Sequence, residues 1–211
     1  MRTERSNTSP KSSAIDARFA ALARIGEVVF HARDAAAIWG ITNANTLHTI
    51  LSRYARTGLL FRLQNGLYSI KPPHELDPLL IGSKALHGAC YVSTETVLSR
   101  AGIIQQNVPH VTLVGSVSRQ FALAGSNFRS RRLRDIYLFN ECGIGREGGV
   151  RIASTARAVA DMLYFNPRYH FDASAHIDWI EVNRMQKDIG YLPAGRQAQL
   201  QIAKMYDTHP A

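Results

Sequence analysis

Apolar residues recur at helical spacing over residues 15–25, at Ile15, Phe19, Leu22 and Ile25, and Gly26 ends the run. Residues 28–30, "VVF", predict a short strand, and residues 33–39 a compact helix closed by Gly40. Thr42 or Asn43 can cap the next helix, which continues to Gly58. Within it Leu47, Ile50, Leu51 and Tyr54 fall at i, i+3, i+4 and i+7 and define one packing face. The opposite side presents Asn45, Thr46, His48, Thr49, Ser52, Arg53 and Arg56. Directly afterwards, in "LLFRLQNGLYSI" (residues 59–70), two β-compatible runs flank Asn65-Gly66. That pair best tolerates positive φ, so the stretch predicts a hairpin with a type I′ turn.

After a proline-bearing linker over residues 71–78 the pattern becomes mixed. "LLIGSKALHG" predicts a helix, "ACYVS" a strand and "TETVLSRAG" a helix. "HVTLVGS" alternates as a strand, and further strands are expected over 120–124, 127–133 and 136–139. A glycine-rich turn leads to the strand "VRIAS", and Ser154 caps the helix "TARAVADMLYF", which Asn166-Pro167 ends. From residue 172 onward one or two helices are expected, interrupted near 190–195.

This patterning predicts an α+β protein with four segments. They are a disordered basic arm (1–13), a winged helix-turn-helix (14–72), a mixed α+β domain (76–166) and a helical tail (167–211). The winged assignment rests on order: helix, short strand, helix, tight turn, longer helix, hairpin. In that plan the longer helix enters the DNA major groove and the hairpin touches backbone or minor groove beside it. Amide, hydroxyl and guanidinium groups on the helix's polar face read base edges and hold phosphates. Arg62, Gln64 and Asn65 on the hairpin are the expected wing contacts.

Charge sharpens the picture. The chain carries 25 Lys and Arg against 16 Asp and Glu. Residues 1–75 hold ten of the basic and five of the acidic residues, and residues 35–74 contain no Asp or Glu at all. A basic surface undiluted by carboxylates attracts polyanions over long range. The apolar runs fall short of the roughly 18 residues of a membrane span, and no h-region follows the polar N-terminus. A cytoplasmic protein is expected, with Cys90 and Cys142 as free thiols.

Several chemical motifs fail their own requirements. Gly143-x-Gly145-x-x-Gly148 matches a dinucleotide fingerprint, but it leads into a strand instead of a helix N-terminus that would hold a pyrophosphate. "GSK" at residues 82–84 resembles the start of a nucleotidyltransferase site, yet no D-x-D supplies the paired carboxylates for two metals. The eight histidines, His31, His48, His74, His87, His110, His170, His176 and His209, lack metal-ligand spacing. No nucleophile is paired in sequence with a general base. The expectation is a binding protein without catalysis, cofactor or metal.

"RSRRLR" places Arg129, Arg131, Arg132 and Arg134 within six residues. One reading is a solvated strand whose charges protect a sheet edge. The other is a second polyanion contact.

Three stretches resemble the AbiEi-like antitoxins of type IV toxin–antitoxin (abortive infection) systems. They are "LSRYARTGLLFRLQNGLYSI" (51–70), "YVSTETVLSRAGI" (91–103) and "IASTARAVADMLYF" (152–165), the last with Arg157 and Asp161 at the matching places. The resemblance covers about residues 25–166. It implies an N-terminal winged domain that represses its own operon on double-stranded DNA. It also implies a second domain that counters a nucleotidyltransferase-type toxin. The tail beyond Pro167 matches no part of the family. A stand-alone regulator of a mobile element, with a ligand- or protein-responsive second domain, is the alternative reading. A homodimer on an inverted repeat suits either, because one winged domain reads only a short half-site.

Overall fold

The structure is a computed structural model that describes residues 10–191. Among these residues it is a mixed α+β chain with eight α-helices and two β-sheets, divided into two compact units at Leu76–Asp77.

The first unit runs α1 (Pro10–Ile25), β1 (Val29–His31), α2 (Ala32–Trp39), α3 (Ala44–Arg56), β2 (Phe61–Gln64) and β3 (Leu67–Ser69). Because α1 begins at Pro10, the end of the expected disordered arm is helical, while residues 1–9 lie outside the described residues. The strands form an antiparallel sheet in the order β1-β3-β2. Its core gathers Leu22, Phe30, Ala35, Ile50, Leu51, Tyr54, Leu60 and Tyr68. Tyr54 ties the helices together: its ring packs on Phe19 and Trp39, and its hydroxyl accepts from Arg18 Nη1 at 3.0 Å.

The second unit contains α4 (Pro78–Ala85), β4 (Cys90–Val92), α5 (Glu95–Arg100), β5 (Val111–Gly115), β6 (Arg119–Leu123) and β7 (Ser126–Arg132). It continues with α6 (Asp135–Leu138), β8 (Ile144–Glu147), β9 (Val150–Ala153), α7 (Thr155–Phe165) and α8 (Trp179–Ile189). Six strands form one mixed sheet in the order β6-β7-β5-β4-β9-β8. On one face, Gly82 of α4 lies so close to Phe128 and Leu113 that an added Cβ would come within 2.6 Å of the Phe128 ring. On the other face Tyr91 of β4 meets α7, and α8 packs on α7 through buried Val182, Met185 and Ile189. The expected tail, as far as Tyr191, is therefore part of this core, and residues 192–211 lie outside the described residues.

Three local expectations are corrected. Residues 136–139, expected as a strand, form the turn of helix α6 and its C-cap, because Leu133 already completes the β7 ladder and Arg134 caps the helix. The glycines at 143–149 do not form one long turn. Ile144–Glu147 is itself a strand, closed onto β9 by the two-residue turn Gly148-Gly149 with both φ positive. Asn65-Gly66 does not adopt the expected type I′ turn, since only Gly66 has positive φ. A turn with an ordinary φ at its first central residue splays the strands, and the β2–β3 register slips between Arg62 and Gln64 to accommodate it. The tip is also held from outside, by the Ala32 N–H donating to the Gly66 carbonyl at 2.8 Å.

Candidate nucleic-acid interface

Asn43 starts α3. Its side chain accepts from the Thr46 N–H at 3.0 Å, satisfying one of the orphan donors of the first turn. Ile50, Leu51 and Tyr54 are buried and Leu47 half-buried, so the packing face read from the sequence faces the core. Asn45, Thr46, His48, Thr49, Ser52, Arg53 and Arg56 are all exposed. Thr49 donates its hydroxyl to the Asn45 carbonyl at 2.8 Å, leaving the oxygen lone pairs outward. Arg53 and Arg56 sit in the last turn, where the helix dipole favours cations, and Arg53 lies 5.6 Å over the Tyr54 ring.

The chain leaves α3 through Gly58 and enters the hairpin at once, with Leu59 and Leu60 N–H groups donating to the Tyr54 carbonyl. Arg62 and Asn65 are exposed and joined by a 3.1 Å hydrogen bond from Arg62 Nη2 to Asn65 Oδ1, while Gln64 is half-buried. Among the described residues Arg53, Arg56 and Arg62 make no ion pair. Nothing in residues 35–74 could supply a carboxylate within the same segment. Nine of the ten expected contact residues are thus exposed on two consecutive elements, with three cations free of local neutralisation.

The "RSRRLR" cluster behaves differently. β7 lies between β5 and β6, so it is not an edge strand, and the edge-protection reading is corrected. Arg131 pairs with Glu95 and lies 5.5 Å from the Phe165 ring, both groups being mostly buried. Arg132 is exposed, and Arg134 follows the strand and stacks 5.7 Å over Tyr137. Arg129 is half-buried and makes no side-chain bond among the described residues. The four do not form one patch.

A second polar constellation was only partly visible in the sequence. Arg157 and Asp161, one turn apart on α7, are 0% exposed and paired at 3.0 Å. The remaining guanidinium donors reach the carbonyls of Asn140 (3.1 Å), Cys142 (2.8 Å) and Tyr137 (3.2 Å) and the Tyr91 hydroxyl (2.9 Å). All five N–H groups are then satisfied. Asp161 also accepts from Tyr91 (3.0 Å), Ser93 (2.7 Å) and Tyr191. Burial, then the adjacent Asp161 charge, pushes the Tyr91 and Tyr191 hydroxyls well above the ordinary tyrosine range. Burial would depress the Arg157 pKa, but Asp161 and the two tyrosines outweigh it and raise it. With every donor and acceptor used and no solvent access, this network fastens β4, α7 and the chain after α8. It offers nothing for a reaction. Tyr91, Ser93 and Tyr191 were missed as its members because only Arg157 and Asp161 were marked, through the resemblance of residues 152–165, and no local pattern ties them to the other three.

Among the described residues no group of three His, Cys, Asp or Glu could hold a metal ion, and no helix is long and apolar enough to cross a membrane.

Comparison with protein families and with curated proteins finds no match. Among solved structures the chain is similar to the crystal structure of the RV2827C protein from Mycobacterium tuberculosis. The identity is 13% and the TM-score 0.46, covering 83% of this chain and 71% of that one.

Proposed function

We propose that the first unit is a winged helix-turn-helix and that the protein is a DNA-binding transcriptional regulator of its own operon. In this reading α3 is the recognition helix and the β2–β3 hairpin the wing. One observation carries it: an exposed helix face and the hairpin that follows it present Arg53, Arg56 and Arg62 with no carboxylate between residues 35 and 74. Asn45, Thr46, His48, Thr49 and Ser52 supply base-reading groups, and Arg62 with Asn65 holds backbone. The hairpin tip is tied to the start of α2, so the wing acts as a short fixed contact and not as a long inserted arm.

The antitoxin role, opposite a nucleotidyltransferase-type toxin, rests on the resemblance of residues 51–70, 91–103 and 152–165. A neighbouring reading frame encoding such a toxin, whose growth arrest this chain relieves, is the test of that part.

For DNA binding the test is a mobility shift on the chain's own promoter over a range of salt. Arg53→Ala or Arg56→Ala should weaken binding by about 1–3 kcal/mol where the side chain reads a base. A phosphate contact should instead lower the salt slope by about one. Unchanged affinity and slope in both variants would remove α3 from the interface. A footprint spanning two inverted half-sites would show that two copies bind together.

A further inference from the structure

Two clefts in the second unit share a wall. One, of about 490 Å³, is lined by Asp77, Thr96, Ser99, Arg100, His110, Ser126 and Asn127 among others. The other, of about 390 Å³, is lined by Pro109, His110, Gln120, Phe121, Asn127, Phe128 and Arg129. Pro109, His110 and Asn127 belong to both, so the two form one groove at the end of the sheet where β5 and β7 begin. Each volume lies within the ~300–1,000 Å³ typical of small-molecule sites.

Several of the polar side chains that line the groove have no partner within the protein, Gln120 and Asn127 among them being exposed. Ser99, Gln120, Ser126, Asn127 and Arg129 make no side-chain hydrogen bond or ion pair among the described residues, and His110 Nε2 is a buried nitrogen without a partner. Four other buried side-chain atoms of this unit lack a partner, on Thr94, Glu95, Arg131 and Tyr169, but none of those residues lines the groove. Unmatched polar groups converging on one concavity are what a ligand would satisfy.

The two clefts differ in charge. The second contains Arg129 and no carboxylate, with amide donors from Gln120 and Asn127 beside it. That set suits a phosphate monoester, whose oxygens accept from guanidinium and amide N–H groups. The first contains Asp77 and Arg100 with Ser99 and Ser126. Asp77 uses Oδ1 to cap Leu79 at 2.8 Å, and its other oxygen remains an acceptor. A carboxylate repels a phosphate but accepts from hydroxyls, so this cleft suits a polyol. A nucleic-acid strand fits less well. Of the two arginines that line the groove, Arg100 pairs with Glu147 at 3.8 Å, so Arg129 is its single unpaired cation among the described residues.

We infer that this groove binds a phosphorylated sugar, free or within a mononucleotide, with the phosphate at Arg129 and the sugar hydroxyls toward Asp77. The inference is independent of how the first unit meets DNA.

Calorimetric titration of the full chain with ribose 5-phosphate, AMP and inorganic phosphate tests it. Ribose 5-phosphate and AMP should bind one per chain and more tightly than phosphate alone. Equal affinities point to the free sugar phosphate, and tighter AMP to the nucleotide. Arg129→Gln should weaken binding about tenfold, equivalent to ~1.4 kcal/mol. Arg53→Ala should leave it unchanged. The His110 ring resonances of the unmodified chain should shift on titration, a readout that needs no variant to fold. Three results overturn the proposal: no organic phosphate binding at millimolar concentration, phosphate binding as tightly as its esters, or ligand binding lost in Arg53→Ala but kept in folded Arg129→Gln.

Discussion

Arg157 and Arg53 are the same side chain put to opposite uses. Arg157 is buried in the second unit with five hydrogen bonds and an adjacent carboxylate. Arg53 is exposed in the first unit with an aromatic ring beneath it and no ion pair among the described residues. A guanidinium surrounded by acceptors has spent its charge on the fold, whereas one without them still attracts anions. The basic excess of the chain therefore says little until each arginine's partners are known. Arg131 and Arg53 both looked available in the sequence, and Glu95 takes only the first.

The largest effect that could break this contrast is Arg157→Ala. It strands Asp161 as an uncompensated buried charge and should destabilise the second unit by about 3–5 kcal/mol in denaturant unfolding. Arg53→Ala should leave that transition within about 0.5 kcal/mol while weakening DNA binding. If the Arg157 variant unfolds at the same denaturant midpoint, the network is not a structural fastener.

Alkaline pH probes the same network without mutation. Tyr91 and Tyr191 have hydroxyls raised in the folded state, so the folded chain keeps protons that the unfolded chain loses. Stability is fully present below the ordinary tyrosine pKa of about 10 and falls above it. Each tyrosine contributes up to about 1.4 kcal/mol per pH unit. Tyr191→Phe should reduce the steepness of that fall. A stability flat from pH 9 to 11 would mean that these hydroxyls are not held between Asp161 and Arg157.

What the sequence disclosed and what it hid follow the range of the interactions. The packing face of α3 was legible because Leu47, Ile50, Leu51 and Tyr54 are all set by one 13-residue helix. The Arg157 network was hidden because Tyr91 lies 66 positions away and Tyr191 meets Asp161 across 30. "RSRRLR" misled for the same reason: strand order, not the run itself, decides which arginine meets Glu95. Turn chemistry misled in a different way. The favoured pair Asn65-Gly66 gave up its type I′ geometry while β3 is pinned by β1, whereas Ala124-Gly125, with a weaker local signal, has positive φ at both residues. The groove at His110 had no local signal, since its walls come from four separate stretches of chain, within 77–79, 96–100, 108–111 and 120–129.

The finest test separates stability from charge at a single position of the first unit. Asn43 caps α3 through its side-chain oxygen, and Asn43→Ala should cost about 1 kcal/mol of stability. Asn43→Asp keeps the cap, and a negative charge there also complements the helix dipole, so stability should be unchanged or slightly higher. That variant nevertheless places the first carboxylate between residues 35 and 74, at the end of the helix expected to approach a phosphate backbone. DNA affinity should then fall by up to about 1 kcal/mol, the repulsion of unit charges a few ångströms apart in water, with the loss shrinking as salt is added. A variant that is as stable as the parent and binds DNA equally well at low salt would place the N-terminal turn of α3 away from the DNA. The contact set would then contract to Arg53, Arg56 and the hairpin.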